Sequence, residues 1–94
     1  MPERPDAAQP TYEVQIDPLA WREIMALPER DQERIFYAIE ALENDPRPRG
    51  AIKVKSRRGI MRRRVGRYRV FYSVEDRALV VLVVEVTQRK DAYR

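Results

Sequence analysis

Arg57-Arg58-Gly59-Ile60-Met61-Arg62-Arg63-Arg64-Val65-Gly66-Arg67-Tyr68-Arg69-Val70-Phe71-Tyr72 decides how this chain folds. Seven of the thirteen residues from Arg57 to Arg69 are arginine, and none of the thirteen is acidic. A run of like charge is ordinarily a solvated tail. Here Val65, Val70, Phe71 and Tyr72 are β-formers set on either side of a Gly66-Arg67 turn. The stretch therefore reads as a β-hairpin, Ile60 to Val65 and Tyr68 to Val74, that holds its arginines on a folded surface. Strand alternation puts Arg62 and Arg64 on one face. A rigid array of planar, permanently charged guanidinium groups suits a phosphate backbone.

The flanking sequence supplies the rest of a sheet and a helical layer. After a turn at Glu75 to Arg77, Leu79 to Thr87 forms a last strand. Its run Val80 to Val84 predicts a central strand covered on both faces or nearly so. Upstream, Tyr12, Val14 and Ile16 alternate with Glu13 and Gln15, the pattern of a short half-buried strand. Asp17-Pro18 offers an N-cap followed by proline at the first helical position. Ala20, Ile24 and Leu27 follow at helical spacing, and Trp21 and Met25 widen the stripe as core or helix-hairpin packing. Pro28 ends that helix and opens another. Ile35, Phe36, Ile39 and Leu42 form its apolar stripe, and Glu29, Asp31 and Glu33 suit its positive N-terminal end. Asn44-Asp45-Pro46 stops it. Arg47 to Gly59 is a polar connector. Residues 1–10, with three prolines, read as a disordered arm, and residues 11–94 as a single domain. The order β-α-α-β-β-β predicts an α+β fold: an antiparallel sheet with a helical hairpin packed on one face and Tyr12 to Ile16 as an edge strand.

Composition narrows the chemistry. A length of 94 residues supports one core. With 44% hydrophobic and 36% charged residues, the chain is globular with a heavily charged surface. It has no Cys and no His, which removes disulfides, thiolate metal sites and the usual general base together. No metal or cofactor is expected. The longest apolar run, Ala78 to Val84, is too short to span a membrane, and no signal-like segment is present, so a cytoplasmic protein is expected. Charge divides along the chain. Residues 1–50 carry 6 Arg against 11 Asp or Glu, net −5; residues 51–94 carry 13 Lys or Arg against 4, net +9. The basic half points to an anionic partner, nucleic acid ahead of an acidic protein.

The order of elements combines with Leu27-Pro28, Leu42 with Asp45-Pro46, Arg62-x-Arg64-Val65-Gly66-x-Tyr68-Arg69-x-x-Tyr72 and Val86-x-x-Arg89-x-x-x-Tyr93. Together these resemble the RelE/ParE toxin superfamily from about Tyr12 to Arg94. The resemblance implies the toxin of a bacterial type II toxin–antitoxin pair. In the RelE-like branch it implies an endoribonuclease, an mRNA interferase that cuts message in the ribosomal decoding site. Arg69 matches the arginine placed on the scissile phosphate, Arg89 the second active-site arginine, and Tyr93 the C-terminal tyrosine that stacks on a base. Arg62 and Arg64 match two basic strand residues, often lysine. Lys53, Lys55, Arg57, Arg58, Arg63, Arg67 and Lys90 are expected to bind RNA around them. Arg63 stands where the family has an inward apolar residue, so it snorkels to the edge or the hairpin differs locally.

The implied chemistry is metal-free: a 2′-hydroxyl attacks the adjacent phosphorus and leaves a cyclic phosphate and a 5′-hydroxyl. One well-placed donor on the phosphorane is worth ~3–4 kcal/mol, the role implied for Arg69 with Arg62 or Arg64. Arg89 would steady the leaving oxygen and Tyr93 would hold a base by stacking. Gln88 stands where many members have histidine, and arginine is a poor base. The general base is therefore unassigned, with Lys53, Lys55 and Lys90 as the lysines that could carry a proton. The implied partners are mRNA on the ribosome, an acidic antitoxin lying over Arg62, Arg64 and Arg69, and operator DNA through the antitoxin only; no membrane partner is implied. Two alternatives stay open: a ParE-like gyrase inhibitor that cuts no RNA, and a toxin acting only in antitoxin-dependent repression.

Overall fold

Local chemistry starts each element in the computed structural model, which describes residues 11–88. The first strand, β1 (Glu13–Ile16), runs into helix α1 (Pro18–Met25) through Asp17, whose Oδ1 accepts from the Leu19 N–H at 2.9 Å, with Pro18 at the first helical position. Helix α2 (Glu29–Glu40) has no side-chain cap, but Glu29 and Asp31 sit in its first turn. Gln32 reaches back from it and donates to Leu27 O at 2.9 Å and Met25 O at 3.3 Å, so one side chain bolts the corner of the hairpin. A 3₁₀ turn (Ala41–Glu43) returns the chain to the start of β1, where Tyr12 N–H donates to Glu43 O at 2.8 Å. Then come β2 (Ile52–Lys53), β3 (Met61–Val65), β4 (Tyr68–Glu75) and β5 (Val80–Gln88). Among the described residues, no helix is long and apolar enough to cross a membrane.

The strands form one sheet in the order β1-β5-β4-β3-β2, with both helices on one face, so the α+β expectation holds. Two details differ from the antiparallel sheet expected. The edge strand β1 pairs with β5 in parallel, because the helical hairpin brings the chain back to the end where β1 began. The connector also holds a fifth strand, two residues long, which pairs with Arg62 and Met61. Between the layers Ala20, Ile24, Ile35, Ile39 and Leu42 pack against Met61, Val70, Tyr72, Val81, Val83 and Val86. Each large aliphatic side chain buried there contributes about 1.5–3 kcal/mol. Trp21 and Met25 are not core, being 46% and 40% exposed. Trp21 instead tilts against Phe36 across the helical hairpin, ring centroids 5.5 Å apart. Nor is β5 covered on both faces. Helices cover one side only, so Val81 and Val83 are buried while Val80, Leu82 and Val84 are partly exposed.

β5 carries an irregularity that sets its phase. Phe71 lies opposite Glu85 but Tyr72 lies opposite Val83, which leaves Val84 as an extra residue, a β-bulge. Strict alternation would send Glu85 inward after Val81 and Val83. The bulge instead turns Val86 to the core and Glu85 and Thr87 to the open face. β5 also outruns β1 here, and the Val86 N–H is taken by Glu23 Oε1 of α1 at 2.7 Å. Burial raises the pKa of Glu23, the Val86 N–H opposes the shift, and the charge of Glu85 adds to it.

Glu23→Ala should leave the Val86 N–H without its acceptor and cost about 1–3 kcal/mol in urea denaturation. Because its pKa is raised in the fold, Glu23 favours folding most below the unfolded carboxylate range. That contribution is lost as pH rises through the folded value. Glu23→Gln, which keeps an acceptor without a charge, is expected to flatten this slope, as melts across the acid range would reveal.

Candidate functional site

Alternation on β3 turns Met61, Arg63 and Val65 toward the helices and Arg62 and Arg64 to the open face. Across the ladder Arg62 meets Phe71 and Arg64 meets Arg69. Beyond β4, Phe71 meets Glu85 and Arg69 meets Thr87. Two rows therefore cross the open face: Arg62, Phe71, Glu85 and Arg64, Arg69, Thr87. Tyr68 and Tyr72, on the other side of β4, hold it to the helical layer. Tyr68 OH donates to Asp31 Oδ2 at 2.6 Å, a bond that raises the phenol's pKa, and Tyr72 OH donates to Pro46 O at 2.8 Å, with burial raising its pKa.

Arg57 closes the open face from the connector. Its loop is turned by Arg57 N–H donating to Val54 O at 3.2 Å and Ile60 N–H donating to Arg57 O at 3.0 Å. Arg57 Nη1 donates to Glu85 Oε1 at 2.6 Å, and the guanidinium carbon lies 5.0 Å from the centroid of the Phe71 ring. These residues enclose a cleft of about 350 Å³ lined by Val54, Ser56, Arg57, Arg62, Arg69, Phe71, Glu85 and Thr87. Arg69 is only 6% exposed, and the Nε atoms of Arg62 and Arg69 are sealed from solvent. Thr87 Oγ1 is also buried, with no hydrogen-bond partner among the described residues. A guanidinium as buried as that of Arg69 interacts with an anion more strongly than it would in water.

The residues expected to act together are divided by the fold. Arg62, Arg69 and Arg57 share the cleft. Arg64, past the end of the short β2, lines a separate depression with Glu33, Arg34, Tyr37 and Arg63. Arg63 snorkels, as one of the two expectations had it: its Nη1 donates to Ala38 O at 3.2 Å on α2. Lys53 and Lys55 line a third depression with Arg47 and Met61, so neither lysine lines the arginine cleft. Arg58 and Arg67 are exposed in turns. Arg89, Lys90 and Tyr93 lie outside the described residues. Sequence reading missed Glu85, Phe71 and Thr87. One signal was present: period-two alternation through Val81 and Val83 puts a carboxylate at a core position, which a strand tolerates only if it breaks phase.

A family model described as the ParE toxin of a type II toxin–antitoxin system, parDE, matches residues 7–93. The fold is similar to that in the crystal structure of the archaeal RelE–RelB complex from Pyrococcus horikoshii OT3. That chain is 30% identical, with a TM-score of 0.75 over 84% of this chain and 96% of its own length. The toxin–antitoxin complex RelBE2 from Mycobacterium tuberculosis gives 26% identity and a TM-score of 0.75 over 86% and 94%. The YoeB/ParE toxin from Agrobacterium tumefaciens, at 18% identity and a TM-score of 0.70 over 81% and 96%, shares the fold. No curated protein matches the chain.

Tyr68→Phe should remove the hydrogen bond to Asp31 and lower stability by about 1.5–3 kcal/mol, the range for bonds to charged groups. The denaturant midpoint should fall at constant slope; an unchanged midpoint would mean that the Tyr68–Asp31 bond does not hold β4 to α2.

Proposed function

The chain belongs to the ParE toxin family of type II toxin–antitoxin systems, and we propose that within it this protein is a ribosome-dependent endoribonuclease that stops translation by cutting mRNA. One observation carries the reading: Arg57, Arg62 and Arg69 converge on one cleft beside an aromatic ring. A single strand of message laid over the open face puts its scissile phosphate between Arg62 and Arg69. The 2′-hydroxyl attacks, and negative charge grows on the phosphorane oxygens. Guanidinium groups already fixed by burial need not reorganise to meet that charge. Arg64 at the sheet edge, with Arg58 and Arg67 in the turns, holds flanking phosphates, and Lys53, Lys55 and Arg63 add to the basic surround. Arg89 steadies the leaving oxygen, Lys90 adds a backbone contact and Tyr93 stacks on a base.

The same surface is the target for control. In the Pyrococcus horikoshii structure RelE is in complex with RelB. For this chain an acidic antitoxin segment laid over Arg62, Arg64 and Arg69 excludes RNA from the cleft, and any operator contact runs through that antitoxin. Its place of work is the cytoplasm, with the ribosome. A second reading, inhibition of DNA gyrase without cleavage, is favoured by the name of the matching family model. The absence of lysine from the described lining of the cleft is compatible with it. A supercoiling assay separates the two, since stoichiometric gyrase inhibition with intact message would support the second.

Arg69→Ala should lower single-turnover cleavage of ribosome-bound mRNA by about 10²–10³-fold, the effect of losing one preorganised donor. Arg69→Lys, which keeps the charge but loses the planar fork, is expected to fall between. Primer extension reads both, and a thermal melt confirms folding. Unchanged cutting by folded Arg69→Ala would remove Arg69 from the site.

A further inference from the structure

We propose that Glu85 is the proton acceptor of the arginine cleft, taking the 2′-hydroxyl proton as that oxygen attacks phosphorus. The inference rests on the nuclease reading above and supplies the base that reading lacks. Of the described side chains lining the cleft, Glu85 alone is a carboxylate, and no lysine is among them. Ser56 and Thr87 offer hydroxyls, and arginine stays protonated.

Three features of the fold place this carboxylate on purpose. The extra residue Val84 turns it outward, where regular pairing after Val83 would bury it among the helices. Bulges of this kind re-aim side chains beside active sites. Next, Glu85 and Arg62 lie in one cross-strand row with Phe71 between them. Two strand spacings, about 9–10 Å between backbones, leave room for a phosphodiester over the ring. Finally, Arg57 holds the carboxylate at 2.6 Å while resting on that ring. The two side chains are 39% and 31% exposed, and a pair so open to solvent contributes little to stability. An incoming phosphate competes for Arg57, so substrate itself releases the base where it is needed. Among the described residues, the charged groups facing Glu85 are Arg57 from the connector, Arg62 from β3, Arg69 from β4 and, from α1, Glu23.

The step balances. The 2′-O–H bond breaks as the proton goes to Glu85, the 2′-oxygen bonds to phosphorus, and the bond from phosphorus to the 5′-oxygen breaks. The electron pair leaves on that 5′-oxygen, which takes a proton from water. Glu85 then returns its proton to the hydroxide so formed. The products are a 2′,3′-cyclic phosphate and a 5′-hydroxyl.

The test is single-turnover cleavage of mRNA on programmed ribosomes by the full chain across pH. Glu85→Gln should slow cutting by about 10²–10⁴-fold, the usual contribution of a general base. It should also abolish the acid-side fall of rate expected of wild type, with binding to the programmed ribosome retained. Glu85→Asp, which keeps a carboxylate on a shorter arm, should keep that fall and recover part of the rate. That variant serves the test even where Glu85→Gln fails to fold. A folded Glu85→Gln that cuts at the wild-type rate overturns the proposal and leaves the nuclease reading standing. A slower variant with the wild-type acid limb also overturns it, because Glu85 would then only position Arg57. Absence of cutting by wild type overturns both.

Discussion

One extra residue in one strand organises this molecule. Val84 shifts the phase of β5, so that Val81, Val83 and Val86 share the core while Glu85 and Thr87 share the arginine face. Without the shift, a carboxylate would enter an apolar layer at a cost of several kcal/mol. The bulge thus reconciles two demands on the same strand. It must complete the core under the helices, and it must give the open face the polar groups opposite β4. Glu23 completes the arrangement by accepting the Val86 N–H beyond the end of β1.

The sheet separates its two faces by chemistry. Toward the helices, the hydroxyls of Tyr68 and Tyr72 find Asp31 and Pro46, so the aromatic side chains pack without orphaned polar groups. Away from the helices, β3 and β4 present guanidinium groups, and Arg69 is nearly as buried as the core. A cation fixed in that position costs desolvation energy when the site is empty and favours an anion that enters. The division of charge along the chain has the same structural basis. The acidic half builds β1 and the helices, and the basic half builds β2 to β5 with their connecting turns.

Much of this was legible in the sequence because it is local. Asp17-Pro18 announces a helix start from a single side chain, and Gly66-Arg67 announces a hairpin turn between two β-forming runs. The shared face of Arg62 and Arg64 follows from strand period alone. What escaped depends on partners distant in the chain. The two residues of β2 are a strand only because β3 is beside them. The spacing of Trp21 suits either core or hairpin packing, and the structure gives the latter, since the helical layer has an outer side that the spacing does not identify. Arg64 shares a face with Arg62, yet the end of β2 leaves it at an edge, where it lines a different depression. Glu85 left only one trace, a carboxylate at the inward phase after Val81 and Val83, because a bulge is a fact of pairing, not of composition.

The central claim is that this arginine cleft positions RNA for attack by its own 2′-hydroxyl. It is tested most directly with a ribosome-bound message carrying a single 2′-deoxynucleotide at the mapped cut site. Cutting should stop at that position alone, and the unmodified message should yield a cyclic phosphate on one fragment and a 5′-hydroxyl on the other. Cutting that persists at the deoxynucleotide would contradict it.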